Sequence, residues 1–148
     1  MSATDTLETG ILQLILQNAN LANIGDATGL RGSTVAGSLY ISLHTADPGE
    51  TGSQTTSETS YTNYVRVGIT RASGAGGWTV SGNNGSNTSV VTFATCGATG
   101  ATITHFGVGT ASSGAGTLLF KGALTSSLAV SNGITPSFAA GDLDINAD

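Results

Sequence analysis

Charge is what this chain has least of. Its 148 residues include four Lys or Arg and nine Asp or Glu, 9% in all, where an average globular domain carries about a quarter. Solvation of the surface therefore falls to Ser, Thr and Asn, and much uncharged surface is left for packing against other subunits. The four cations, Arg31, Arg66, Arg71 and Lys121, form no basic run, which excludes nucleic-acid binding by phosphate neutralisation. Cysteine occurs once, at Cys96, so an intrachain disulfide is excluded and a disulfide-stapled secreted module is a poor fit. Its neighbours Phe93, Ala94 and Gly97 predict a small buried side chain rather than a reactive thiol. The longest apolar run, residues 11–16, is broken by Gln13, too short to span a membrane. The first ten residues carry Asp5 and Glu8 and no cation, unlike a signal peptide. The expected product stays in the cytosol where it is made or leaves with the cell's contents, with neither membrane nor nucleic acid as a partner. Heptads and short-period repeats are missing too, which excludes a coiled-coil shaft and a β-helical one.

What is present is 22 glycines and many Thr and Ser, a composition suited to short strands and tight turns. Residues 2–21 are the exception and read as one helix. Ser2-Ala-Thr-Asp5 has capping-box spacing, and Leu7, Ile11 and Ile15 form a stripe flanked by Leu12 and Leu16, with Leu14 on a further side. Gly10 costs about 1 kcal/mol against alanine. So wide an apolar surface either lids a sheet or also meets another subunit, with Ile11 and Leu14 facing the partner. A polar connection, Asn18–Gly37, follows.

From Ser38 onward the chain reads as strands. Leu39, Ile41 and Leu43 alternate with Tyr40, Ser42 and His44 until Asp47-Pro48-Gly49 stops the strand. Residues 46–60 read as an exposed polar loop. Further strands are expected at 61–71 (Val65, Val67 and Ile69 inward; Arg66 outward), 78–80, 89–96, 101–109, 117–122, 124–130, 134–138 and around Leu143 and Ile145. Asn83-Asn84-Gly85 and Asn132-Gly133 supply turn chemistry, and Pro136 suits an edge strand. The spacing predicts a mainly β fold: a single β-sandwich or jelly-roll-like domain of about eight to nine strands at 38–148, preceded by a helix and connecting arm at 1–37.

Catalytic chemistry has few candidates. His44, Asp47 and Glu50 form the one cluster resembling ligands, but a metal site needs three or four convergent donors. His105 lies within a strand, and no serine sits in a nucleophile-elbow motif. Gly107-Val-Gly109 lacks the Lys-Ser/Thr of a phosphate loop. Asn84-Gly-Ser86 and Asn87-Thr-Ser89 match glycosylation acceptors but read as turn residues. Asp142 and Asp144 share one strand face as solvated charges rather than as a glycosidase pair. No residue is assigned a catalytic, cofactor-binding or metal-binding role, and no cofactor is implied.

The ordered series LYISLHTADPGE, SYTNYVRVGITR, GGWTVSGN, VVTF, THFGVGT, GTLLFKGALT and NGITPSFAAGDLDI resembles a family of small tailed-bacteriophage virion proteins, commonly labelled tail-fibre or minor structural proteins. The resemblance runs from Leu39 to Ile145 and implies a non-enzymatic part of the particle. Without a shaft, a β domain with an apolar helix and few charges is expected to dock on a preformed surface. The expectation is a head decoration or cement protein that binds the major capsid protein. It would be a homo-oligomer, and a trimer because capsids offer three-fold sites. The alternative is a tail or baseplate subunit that contacts a host surface receptor. Its contact surface would be the glycine-rich loops at 73–77 and 111–116 with Tyr61, Tyr64 and Trp78, unless these are ordinary turns and core aromatics.

Overall fold

The computed structural model describes residues 2–147. It is mainly β, with one helix, α1 (Asp5–Gln17), and nine strands: β1 (Ser38–His44), β2 (Val67–Thr70), β3 (Trp78–Ser81), β4 (Asn84–Asn87), β5 (Val91–Thr92), β6 (Ala101–Gly109), β7 (Leu118–Val130), β8 (Ser137–Phe138) and β9 (Asp144–Asn146). They form open sheets of order β2-β1-β6-β7, β3-β4-β9 and β5-β8. By packing the chain divides into two units. The first holds the residues up to Ser38, Ile69–Val91 and those from Phe138 on; the second holds Leu39–Gly68 and Thr92–Ser137.

In the first unit α1 lies on β3 and β4. Leu12 and Leu16 are completely buried, while Leu7 and Ile11 stay more than a third exposed. The helix is shorter than its pattern predicts, and its start is plainer. Thr4 is the N-cap, but its hydroxyl makes no capping bond; its carbonyl accepts from Leu7 and Glu8 instead. At the other end Asn18 turns left-handed, with φ 57°. Its side-chain amide pairs with the backbone N–H and C=O of Ser33 at 2.6 and 2.8 Å. Leu21 and Leu30 exchange both backbone bonds. The 18–37 connection is thus a closed loop pinned at its base.

The last turn of α1 contains no basic residue, yet its free carbonyls attract a cation. Arg71 supplies it, donating to Leu14 O and Ile15 O at 2.7 Å each and to Ala36 O and Ser33 Oγ at 3.2 Å.

The β3–β4 hairpin turns at Gly82-Asn83, with Gly82 at φ 59°. Asn84 and Gly85, expected in the turn, lie in β4 opposite Asn146 and Ile145. Packing explains the displacement: a Cβ at Gly85 would stand 2.4 Å from Leu16 Cδ1. The residue serves the close approach of helix to sheet rather than the turn. Leu143 and Ile145 point inward as the alternation predicts.

In the second unit β1 pairs with β6, Ile41 facing Val108, Leu43 facing Phe106 and His44 facing His105. Leu39, Ile41, Leu43, Ile103 and Val108 are buried, as are Phe93 and Cys96. Strands 117–122 and 124–130, expected to be separate, form the single strand β7. The segment 61–71 is extended as a strand only from Val67, and Val65, expected inward, is 60% exposed. Asn132-Gly133 makes a turn, Gly133 at φ 85°, but no hairpin, because β8 pairs with β5 rather than β7.

Candidate functional site

β1 was expected to bury one face. From Ile41 to His44 it buries both, because the 46–60 loop folds back over the polar side. Thr45 N–H donates to Ser57 O, and Thr59 N–H to Leu43 O. Gln54 and Thr59, expected in an exposed loop, are 0% and 4% exposed. The backbone amides of β1 and the loop satisfy one another, whereas the hydroxyl of Thr59 is buried without a hydrogen-bond partner.

His44 sits within this layer. Its Nδ1 is 2.8 Å from Thr56 O, which can only accept, so Nδ1 carries the proton and Nε2 accepts from Ser42 Oγ at 2.8 Å. Burial holds its pKa below the usual histidine value, against the Thr56 hydrogen bond and the Glu58 charge, which favour the protonated ring. The pair has room because Gly107 faces Ser42: a Cβ there would lie 2.8 Å from both His44 Nε2 and Ser42 Oγ. A hydroxyl donating to an imidazole resembles an activated nucleophile. Both side chains are fully inaccessible, however, so the contact orders the layer and meets no solute.

Next to it lies a feature the sequence pattern concealed. Arg66, expected outward, is 8% exposed. Its Nε and Nη2 grip the two oxygens of Glu58 at 2.6 and 2.7 Å, the bidentate geometry that planar guanidinium favours. Glu58 also accepts from the Tyr64 hydroxyl at 2.9 Å, which in turn accepts from Leu43 N–H at 3.0 Å. The ion pair with Glu58 raises the Arg66 pKa further, and burial raises that of Tyr64. The remaining Arg66 donors reach Ala111 O at 2.9 Å and Gly114 O at 2.7 Å. Gln54 accepts from Ala111 N–H at 2.9 Å and donates its own N–H to Gly116 O. The β6–β7 turn, whose Ser112, Ser113, Gly114 and Ala115 are exposed, is thus braced from below by a buried charge pair and a buried amide.

The ADPGE turn stands at a shallow open groove of about 60 Å³, lined by Gly49, Glu50, Gly52 and Leu118–Lys121. Lys121 Nζ lies 3.1 Å from Asp47 Oδ1 and 3.0 Å from Glu50 Oε1. These contacts raise the Lys121 pKa; the Gly49 N–H, then Lys121, lower that of Asp47. The structure thus brings Asp47 and Glu50 together around an ammonium and leaves His44 buried apart from them. No group of three or more His, Cys, Asp or Glu converges among the described residues.

The other candidates are taken up by the fold, the buried indole N–H of Trp78 without a hydrogen-bond partner. Tyr61 is 2% exposed and Trp78 0%, which removes both from a contact surface. Tyr61 donates to Ala94 O at 3.0 Å, and burial pushes its pKa up to about 12. His105 Nδ1 pairs with Thr104 Oγ1 at 2.8 Å. Cys96 is buried, its Sγ 3.4 Å from Thr99 O. Asn87, a nominal glycosylation acceptor, is 2% exposed. Its amide holds Ser89 O, Ala139 O and Leu143 N–H at 2.8–2.9 Å. Asp142 accepts from Ala139 N–H within a turn, while Asp144 bonds Asn84.

No helix among the described residues is long and apolar enough to cross a membrane. No curated protein matches the chain. The family described as Podophage GP4 fiber I protein gp80 matches residues 2–146, nearly the whole sequence and including the helix and connection that precede the motifs quoted above. The chain belongs to this family of podophage fibre proteins, and is accordingly a component of the phage virion.

Proposed function

We propose that the chain is a non-enzymatic tail-side subunit of the virion and that it presents the 110–117 turn and the neighbouring Lys121 groove to the host surface. The observation that carries this reading is the brace. A surface turn without charge of its own is held by Arg66, Glu58 and Gln54, all of them buried or nearly so. Binding loops work best when a rigid scaffold removes the entropy of ordering them. A turn that only connected β6 to β7 would not need a buried ion pair beneath it. The family is one of fibre proteins, which favours tail or baseplate proteins and a host receptor as partners over the major capsid protein. The three-copy stoichiometry rests on three-fold capsid sites and goes with the head-side reading.

Adsorption tests the proposal. Purified chain added to host cells ahead of phage should slow adsorption. A variant with Ser112 and Ser113 both changed to Glu should lose that effect while keeping its melting temperature. Undiminished competition by the variant removes the turn from the contact, and no competition by the parent chain removes the host-contact role. A particle map with density on the head and none on the tail would restore the decoration reading. Hydrolysis of host polysaccharide by the purified chain would overturn its non-enzymatic character.

A further inference from the structure

Five of the ten large apolar side chains left exposed among the described residues fall within residues 7–35: Leu7, Ile11, Ile24, Leu30 and Val35, the last 79% exposed. Leu7 and Ile11 stand with the partly exposed Leu14 at i, i+4, i+7 spacing, the outward stripe of α1. Leu12 and Leu16 on the other side are buried. The remaining three lie on the 18–37 connection, which is fastened to the helix in two places. A Cβ at Gly10 would stand 2.3 Å from Leu21 Cδ1, so Leu21 packs directly on α1. Arg71 holds the carbonyls of Leu14 and Ile15 together with that of Ala36. Helix and connection thus present one preformed face. Apolar side chains gathered on an ordered surface mark an interaction site, whereas scattered ones mark nothing.

The charges say what covers that face. In the second unit Glu58 is paired with Arg66, and Asp47 and Glu50 with Lys121. In the first unit Asp5, Glu8, Asp26, Asp142 and Asp144 enter no ion pair among the described residues. Three of these belong to the apolar face itself. Asp5 and Glu8 occupy the first turn of α1, Glu8 beside Ile11 at i, i+3 spacing, and Asp26 follows Ile24 by two residues. Arg31 is the segment's one cation, so acid is in excess. Such an excess repels phosphate, whether of a nucleic acid or of a lipid headgroup. A second copy would bring the same excess. The complement is a surface apolar at its centre and rimmed by Lys or Arg, since opposite potentials steer an encounter and like charges penalise the wrong one.

We propose that the outward face of α1 and the 18–37 connection is the seat of a different protein of the particle, one that offers basic side chains around an apolar patch. The docking uses residues of the first unit alone and holds whichever surface the 110–117 turn contacts.

Thiol chemistry tests the proposal on phage carrying the full chain, the native Cys96 being buried. Val35→Cys places a thiol within the face, and it should react with a maleimide in the purified chain but lose that labelling in the virion. Ala27→Cys places one at the rim, beside Asp26. An amine–thiol cross-linker should join it to a lysine of another virion protein. Asp5→Lys with Glu8→Lys should lower the copies of the chain per purified virion by about tenfold. Full labelling at position 35 in the virion overturns the docking. A cross-link from position 27 to a second copy, or none at all, overturns the basic partner, as does a Lys/Lys variant present at the parent's level. The two thiols decide if that variant unfolds.

Discussion

Arg71 in the first unit and Arg66 in the second both direct guanidinium groups at backbone carbonyls, yet only Arg66 also grips a carboxylate. Arg71 is only partly buried, so its charge keeps some hydration and the α1 carbonyls suffice as partners. Arg66 is buried, where an unpaired cation would be prohibitive, and Glu58 neutralises it. The neighbourhoods differ accordingly. Around Arg71 the unit is held by apolar contact between helix and sheet, Leu16 lying over Gly85. Around Arg66 it is held by a continuous polar layer of His44, Ser42, Gln54, Tyr64 and Glu58. A chain with few charges uses one arginine to cap a helix and the other to brace a loop, and burial decides which kind of partner each requires.

Removing the brace should do the most damage. Arg66→Ala strands Glu58 and frees two carbonyls, and is expected to cost about 3–5 kcal/mol in denaturant unfolding. Arg66→Lys should recover only part of that loss, lacking the bidentate fork. Leu16→Ala, in the apolar neighbourhood, should cost about 2–5 kcal/mol depending on how far α1 settles onto Gly85. Arg71→Ala should cost less than Arg66→Ala, about 1.5–3 kcal/mol for hydrogen bonds from a charged donor. Equal losses for the two arginines would break the distinction drawn from burial. The smallest effect expected is a pH dependence.

His44 has a lowered folded-state pKa, so above its ordinary value of 6.5 both folded and unfolded forms are neutral and its contribution is complete. As pH falls below that value the unfolded chain takes up a proton that the folded chain resists, and stability declines. Thermal unfolding followed from pH 7.5 to 5 should show this decline, and His44→Gln should flatten it. An unchanged slope in that variant would place the titration elsewhere.

Much of the fold was legible from periodicity. The alternation around 101–109 marks β6 within its observed bounds, and Leu143 and Ile145 face inward as read. The misses share one cause. Arg66 alternates like an outward residue, and a Ser/Thr-rich loop reads as solvated, because local pattern assumes that polarity means water. Here the water is replaced by another part of the chain: the loop covers β1, and Glu58 meets Arg66. One signal was available, since in so charge-poor a sequence each arginine demands a partner, and Glu58 is among the few acids that could serve. Asn84-Gly85 misled for a related reason, glycine being required by a helix overhead rather than by a turn.

Composition and periodicity alone determined the class of this protein: mainly β with one N-terminal helix, without basic patch, disulfide or shaft repeat. Tertiary structure decided which polar residues are buried, and which arginine caps and which braces. Periodicity reports how each residue prefers to face water. Whether water remains on that face depends on segments distant in sequence, and only the folded chain brings them there.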